Sequence, residues 1–400
     1  MRIFTLNANT KGIGTYQRCF YFSRELARAG HEVTMATVSP TAKYKPVIYY
    51  KRDWVGTHPE PFGAGPWVRM IEGPNLGNKW LPGWGSGPLD IWHRMREIFG
   101  HYDVVYGFEY HPNVAWPVYL TKAARGYRFF SDWCDWYAGN SNQLRGYRWA
   151  QKIDKFFEER IRFKAEKVTV ISRVLADRAR SLPLPKNKVV YVPQGIDTEY
   201  CRSFPKEEVR RLYGIPDDTP VLATGLDGDM RRHVRIFHSV LKRIPNAFLV
   251  VVGSVQEPAR VLGEQLGIAK SILWTGWVSD EDYPRYISCA DICFLPLENN
   301  LNNRARFPGK VLDYLCAGRP VVTNDVGEVG LLFQSRQIGQ LSGQESEEFA
   351  ESAMGLLRDP DLCHYLGGNA RRVMVKEWDW TTRGPLIGSI VEGDDTPSYA

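Results

Sequence analysis

Short apolar runs alternate with amphipathic ones from residue 220 to residue 323, and this alternation restricts the fold more than any other feature of the chain. Residues 220–224, 247–252, 272–275, 291–295 and 320–323 read as buried strands, with helices near 231–243, up to 266 and up to 289 between them. Strands joined by helices pair in parallel, and a parallel sheet needs cover on both faces. The first half repeats the pattern: a strand over 2–8, the glycine loop Gly12-Ile13-Gly14, a helix over 16–29 ending at Gly30, and strands over 31–39, 103–110, 127–134 and 167–171. The expected fold class is α/β, with two Rossmann-like domains facing across a central cleft.

Within the second series, Arg306 to Gly327 carries the clearest chemistry. Pro308 suits the first turn of a helix, Gly318 its end, and 320–323 a following strand. Val311, Leu312, Leu315 and Cys316 mark an apolar side; Lys310, Asp313 and Ala317 fall on another. A helix start entered through Gly309 leaves several backbone N–H groups for an anion such as a diphosphate, and Asp313, one turn on, suits the hydroxyls of a ribose. An αβ unit with an exposed aspartate is the plain alternative. The Gly12–Gly14 loop is not a dinucleotide fingerprint: Gln17 stands where the third glycine belongs, and residues 31–39 end in no acidic side chain.

Chain-wide features narrow the class. The 400 residues suffice for two domains, and seven scattered cysteines without a C-x-x-C pair read as small buried hydrophobes in a reducing compartment. The net charge of +6 admits a nucleotide or a lipid phosphate, and no nucleic-acid partner is expected. No apolar run reaches membrane-spanning length and residues 1–30 lack a signal-peptide pattern, so the cytoplasm is the expected location. Residues 43–87 read as irregular, with Trp54, Trp67, Trp80 and Trp84 among Lys43, Lys45, Lys51, Arg52, Arg69 and Lys79, either as core packing or as an acceptor surface. A basic helix over 145–166 reads as a solvated face or as a contact with acidic lipid.

The run P-x-K-x-x-D-Y-x-x-x-G-x-P-V-V from Pro308 to Val322 resembles the nucleotide-binding segment of the retaining GT-B glycosyltransferases, the family 4-like group that includes bacterial lipopolysaccharide and mannosyl transferases. Residues 188–197, KVVYVPQGID, are similar to that family's approach to its interdomain linker, with Gln194 in place of an asparagine. The resemblance implies an acceptor-side domain over 1–196, a nucleotide-sugar domain over 197–377, hinges near 195 and 377, and a segment 378–400 packing back on the first domain. It implies a hexosyltransferase that moves a sugar from a UDP- or GDP-sugar to a glycan or lipid-linked acceptor of the cell envelope, with retention, without cofactor or metal. Such an enzyme would work in the cytoplasm, peripheral to the inner membrane face.

By the same resemblance, His111 would act near the anomeric carbon, while Arg231 and Arg232 would offset the donor diphosphate. Gly12, Gly14, Val278, Gly309, Lys310 and Asp313 would hold the donor, Val278 through backbone groups at the base. Ala305 and Leu226 stand where the family usually has charged residues. Asp227 and Asp229 form a D-x-D pair, which in this architecture reads as a turn and not as a metal site. A non-catalytic nucleotide- or glycan-binding protein and a nucleotide-sugar epimerase are the rival classes on the same fold.

Overall fold

The computed structural model describes residues 1–54, 56–75, 87–137 and 148–393. It divides into two compact units, one of Met1–Gln194, Ala305–Phe307 and Trp380–Ala400, the other of Gly195–Arg304 and Pro308–Asp379.

The first unit runs β1 (Arg2–Thr10), α1 (Tyr16–Arg28), β2 (Glu32–Val38), β3 (Val47–Lys51), β4 (Val68–Gly73), α2 (Pro88–Ile98), β5 (Val104–Phe108), α3 (Pro112–Arg125), β6 (Arg128–Trp133), α4 (Arg148–Lys164), β7 (Lys167–Val170), α5 (Arg173–Ser181) and β8 (Val189–Tyr191). Its sheet has the order β3-β4-β2-β1-β5-β6-β7-β8, parallel except for the edge strand β3. Residues 43–87, expected to be irregular, thus contribute two strands. β4 docks in parallel on β2, and β3 folds back on it, with Tyr49 opposite Met70. The apolar content of both strands is diluted by Tyr, Lys, Arg and Glu, which hid their period. Trp54 and Lys51 are core residues: Trp54 stacks on Tyr21 at 5.6 Å, and the Lys51 ammonium donates to the Trp54 carbonyl and lies over its ring. Lys79, Trp80, Trp84 and residues 145–147 lie outside the described residues.

A buried ion pair knits this unit together. Arg18 on α1 donates from Nε and Nη2 to the two oxygens of Asp132 on β6, both at 2.9 Å, and from Nη2 to the carbonyl of Val192 beyond β8 at 2.8 Å. Thr169 on β7 and Cys134 donate to the same carboxylate, so no lone pair facing the core is wasted. The helix Gly384–Glu392 returns to this unit. Before it, Trp380 is fully buried and stacks on Tyr21 at 5.3 Å.

The second unit runs α6 (Lys206–Leu212), β9 (Val221–Gly225), α7 (Met230–Leu241), β10 (Phe248–Val252), α8 (Glu257–Gln265), β11 (Ile272–Trp274), α9 (Tyr283–Ser288), β12 (Ile292–Leu295), α10 (Leu301–Ala305), α11 (Lys310–Cys316), β13 (Val321–Asn324), α12 (Gly327–Gln334), β14 (Gly339–Ser342), α13 (Ser346–Leu357) and α14 (Pro360–Val373); α15 (Gly384–Glu392) follows. All pairings are parallel in the order β11-β10-β9-β12-β13-β14, the doubly wound arrangement. Leu222, Leu249, Val251, Phe294 and Val322 pack from the sheet against Phe237 of α7 and Phe349 of α13. Ala317, expected beside Lys310 and Asp313 on a polar side, is fully buried, because α11 is enclosed on most of its surface.

Replacing Arg18 with alanine would strand the Asp132 carboxylate in the core. The expected cost is about 3–5 kcal/mol, read as an earlier transition of the first unit in chemical denaturation.

Candidate functional site

In a parallel sheet whose strand order reverses, the connections leave in opposite directions from the two central strands and open a crevice at their carboxyl ends. The second unit has that reversal between β9 and β12, the first between β1 and β5. The residues singled out in the sequence cluster at these two places.

In the second unit α11 is fastened to the end of β9: the Gly225 amide donates to the Tyr314 hydroxyl at 2.6 Å. The Lys310 side chain runs across Gly225 so closely that an added Cβ there would lie 3.2 Å from its Cδ and Cε. Asp313 follows one turn later, with no hydrogen bond to its carboxylate among the described residues. Burial raises its pKa to about 7; Lys310 opposes the rise and Asp280 adds to it. Asp280 lies two residues beyond Val278, so the loop after β11 reaches the same place. The helix start is less open than expected: a tightened turn pairs the amides of Val311 and Leu312 with the carbonyls of Pro308 and Gly309 at 3.2 and 2.9 Å. Among the described residues only the amides of Gly309 and Lys310 stay without a backbone partner, in a first turn with no side-chain cap.

The two arginines after β9 differ. Arg231 is exposed and folds back on Asp229, the N-cap of α7, with Nε 2.9 and 2.8 Å from the two carboxylate oxygens. Arg232 is half-buried and donates through Nη2 to the Gln344 carbonyl at 2.8 Å, while its buried Nη1 has no partner among the described residues. Burial holds its pKa below the usual arginine value, with Glu298 after β12 and Glu345 opposing. Arg232 therefore stands at the strand reversal; Arg231 is turned away from it by its carboxylate.

In the first unit the loop after β1 and the loop after β5 adjoin, bringing Gly12 and Gly14 to the same sheet end as His111. Gly14 has φ +56°, and an added Cβ would lie 2.6 Å from Asn9 Oδ1, so this turn requires glycine. Asn9 Oδ1 accepts from the Thr15 amide at 3.1 Å. His111 caps α3 through its backbone, with the ring beside Tyr110 and edge-on to Tyr137 at 5.3 Å. Its buried Nδ1 has no hydrogen-bond partner among the described residues. Burial, assisted by the Arg162 charge, lowers its pKa to about 4, so the imidazole is neutral at physiological pH.

Glu109 is close to His111 in sequence, but the buried cluster it forms with Arg162 behind this histidine is visible only in the fold. Glu109, two residues earlier, is fully buried with φ +69°, a conformation costly for a side chain with a Cβ. Its Oε1 accepts from the amides of Cys134 and Asp135 at 2.7 and 3.1 Å, and Oε2 lies 3.6 Å from Arg162 Nη2. Burial still pushes the carboxyl well above the ordinary range, with Arg162 opposing. Arg162 belongs to α4, read in the sequence as a solvated basic face; nothing in its spacing separates this buried arginine from its exposed neighbours.

Two family models match the chain, one on each unit: the glycosyl transferase 4-like domain over residues 12–195 and the glycosyl transferases group 1 over residues 228–359. Among curated proteins, the GDP-mannose-dependent alpha-(1-6)-phosphatidylinositol monomannoside mannosyltransferase of Mycobacterium tuberculosis is 25% identical over 244 residues, 57% of this chain and 62% of that protein. The chain thus spans less than two thirds of the length of the curated relatives it matches first. In fold it is similar to sucrose-phosphate synthase from Thermosynechococcus elongatus, with a TM-score of 0.76 and 17% identity over 98% of both chains. It is also similar to WaaG, a glycosyltransferase involved in lipopolysaccharide biosynthesis, with a TM-score of 0.72 and 18% identity over 98% of this chain and all of that one. With both models matched in sequence order on two such sheets, the chain belongs to the GT-B glycosyltransferases of the family 4-like group.

Proposed function

We propose that this protein transfers a hexose from a nucleotide-sugar donor to a glycan or lipid-linked acceptor, with retention of configuration and without a metal or cofactor. The observation that carries this reading is Asp313: a half-buried carboxylate with no hydrogen-bond partner among the described residues, beside Lys310 at the strand reversal. A carboxylate kept in this state suits two vicinal hydroxyls of a ribose, and Lys310, Arg232 and the amides of Gly309 and Lys310 suit the adjoining diphosphate. The mannosyltransferase relatives favour a GDP-sugar over a UDP-sugar. Val278 would meet the base through backbone groups. On the acceptor side the neutral imidazole of His111 would hydrogen-bond to the sugar, with the Gly12–Gly14 turn close by. No dedicated base is required, since the departing phosphate can take the acceptor proton.

One observation favours a second reading, a protein that binds without turnover. Leu226 is committed to packing over Gly253 and the core, and Ala305 is fully buried with its carbonyl accepting from Ser172. Neither position supplies the charge usual in the family.

A lipid-linked acceptor would suit a protein that rests on a membrane. Among the described residues no helix is long and apolar enough to cross one. On the outer sides of α2, α3 and α4, however, Trp92, Phe99, Trp116, Leu120, Phe156 and Phe163 are exposed, with Arg125 over Phe99 at 4.3 Å and Arg160 over Phe156 at 4.5 Å. Aromatics with cations above them suit an anionic lipid interface.

Three outcomes are expected. Calorimetry should give a GDP affinity that rises about tenfold from pH 6 to pH 8, as a carboxyl titrating near 7 ionises, and Asp313→Asn should abolish that dependence. A flat wild-type profile would remove Asp313 from the nucleotide site. His111→Ala should lower kcat by about tenfold or more at nearly unchanged donor affinity, and the wild-type kcat profile should show no inflection from this group between pH 5.5 and 8; unchanged turnover in the variant would remove His111 from the reaction, and donor binding without any wild-type turnover would favour the binding-protein reading. Phosphatidylglycerol vesicles should sediment the protein better than phosphatidylcholine vesicles, and less so after Arg125→Glu with Arg160→Glu; equal sedimentation by both lipids would exclude the membrane contact.

A further inference from the structure

The second unit has a cavity of about 490 Å³ at the end of its sheet opposite Gly225 and Asp313. It is bordered by Asp291 and Pro320, which precede β12 and β13, whereas the candidate donor site lies beyond the carboxyl ends of the strands. One wall is a single face of α14, where Cys363, Gly367 and Arg371 recur at helical spacing. Gly367 lets α14 press on the turn after α11, since an added Cβ would lie 2.3 Å from the Gly318 carbonyl oxygen. Gly368, beside it, faces open space.

Charge in this cavity is unbalanced. Among the described residues Asp291 is its only carboxylate, and it is already engaged by Arg210 at 2.9 Å and by the Val221 amide at 2.9 Å. Lys206 pairs with the other oxygen at 3.4 Å, sharing that carboxylate with Arg210, and Arg319 and Arg371 have no carboxylate partner among the described residues. Arg371 is held rigidly, donating to the carbonyls of Thr198, Cys201 and Cys316 at 2.8, 2.8 and 3.1 Å. Arg319 is the unsatisfied member. Its guanidinium makes no hydrogen bond among the described residues, and its Nε is buried. Burial accordingly lowers its pKa, with Cys293 and Asp291 opposing. A planar cation with unmet donors inside a concave pocket matches an oxyanion.

We infer that this cavity binds a small phosphorylated polyol, of the class of sugar phosphates, its phosphate on Arg319 and Lys206 and its hydroxyls toward Ser203 and His364. Three cations against one engaged carboxylate match a dianion better than a monocarboxylate. The volume exceeds that of an inorganic phosphate and falls within the range of small-molecule sites. This site is separate from the proposed donor site and does not depend on that reading.

The test is calorimetry of the 400-residue protein with glucose 6-phosphate, inorganic phosphate and glucose, without nucleotide. Glucose 6-phosphate should bind at least tenfold more tightly than inorganic phosphate, and glucose should not bind. Arg319→Gln should weaken glucose 6-phosphate at least tenfold, and Gly368→Glu, which places a carboxylate at the cavity without a steric conflict, should do the same if Arg319→Gln does not fold. Asp313→Asn should leave it unchanged, so that failure of the donor-site reading and failure of this one remain distinguishable. Absence of wild-type binding, retention of binding in Gly368→Glu, or its loss in Asp313→Asn would overturn the inference. Equal affinity for inorganic phosphate would overturn assignment of a sugar.

Discussion

Every strand of the second unit runs the same way, and this one constraint governs what the site can be. Parallel pairing sends all connections from the carboxyl ends to one edge of the sheet, so residues far apart in sequence meet there: the turn after β9, the loop after β11 and the start of α11. The order reversal between β9 and β12 keeps helices from covering that edge at its centre. The first unit repeats the geometry between β1 and β5, which is why a glycine turn near residue 12 and a histidine at 111 come to one sheet end. Asp313 and His111 are therefore placed by topology before any local preference acts.

Burial then decides the chemical state of what topology has gathered. Arg18 with Asp132 and Arg210 with Asp291 survive in the interior because each partner also finds carbonyls, amides or hydroxyls for its remaining donors and acceptors. Asp313, His111 and Glu109 lack such complete partners. Desolvation moves the two carboxyls up and the histidine down, each toward its neutral form. A charge held back by the protein is restored most cheaply by a ligand that brings its own hydroxyls or oxyanions, and this gives the unsatisfied groups their meaning. Arg319 obeys the same logic at the opposite end of the second sheet.

How much could be read from the sequence varied with how local the cause was. The helix from Lys310, its stop at Gly318 and the strand from Val321 were legible because proline, glycine and β-branched residues act within a few positions. The strands β3 and β4 were not, since an edge ribbon with Tyr, Arg and Glu on its faces has no clean period. Lys51 and Trp54 were open to two readings, core packing or an acceptor surface, and are core residues. Arg231 and Arg232 were both expected at the diphosphate; a capping aspartate at 229 engages the first and leaves the second at the crevice.

By itself, then, the sequence determined the two αβ series, the parallel sheets they require and the glycine turn at 12–14, all of which follow from periodicity and backbone stereochemistry. Tertiary structure alone decided which charges are buried, which arginine faces the strand reversal, that Glu109 and Arg162 stand behind His111, and that Arg319 lines a cavity. Those outcomes depend on desolvation and on partners more than a hundred residues away in several cases, and no local pattern encodes either.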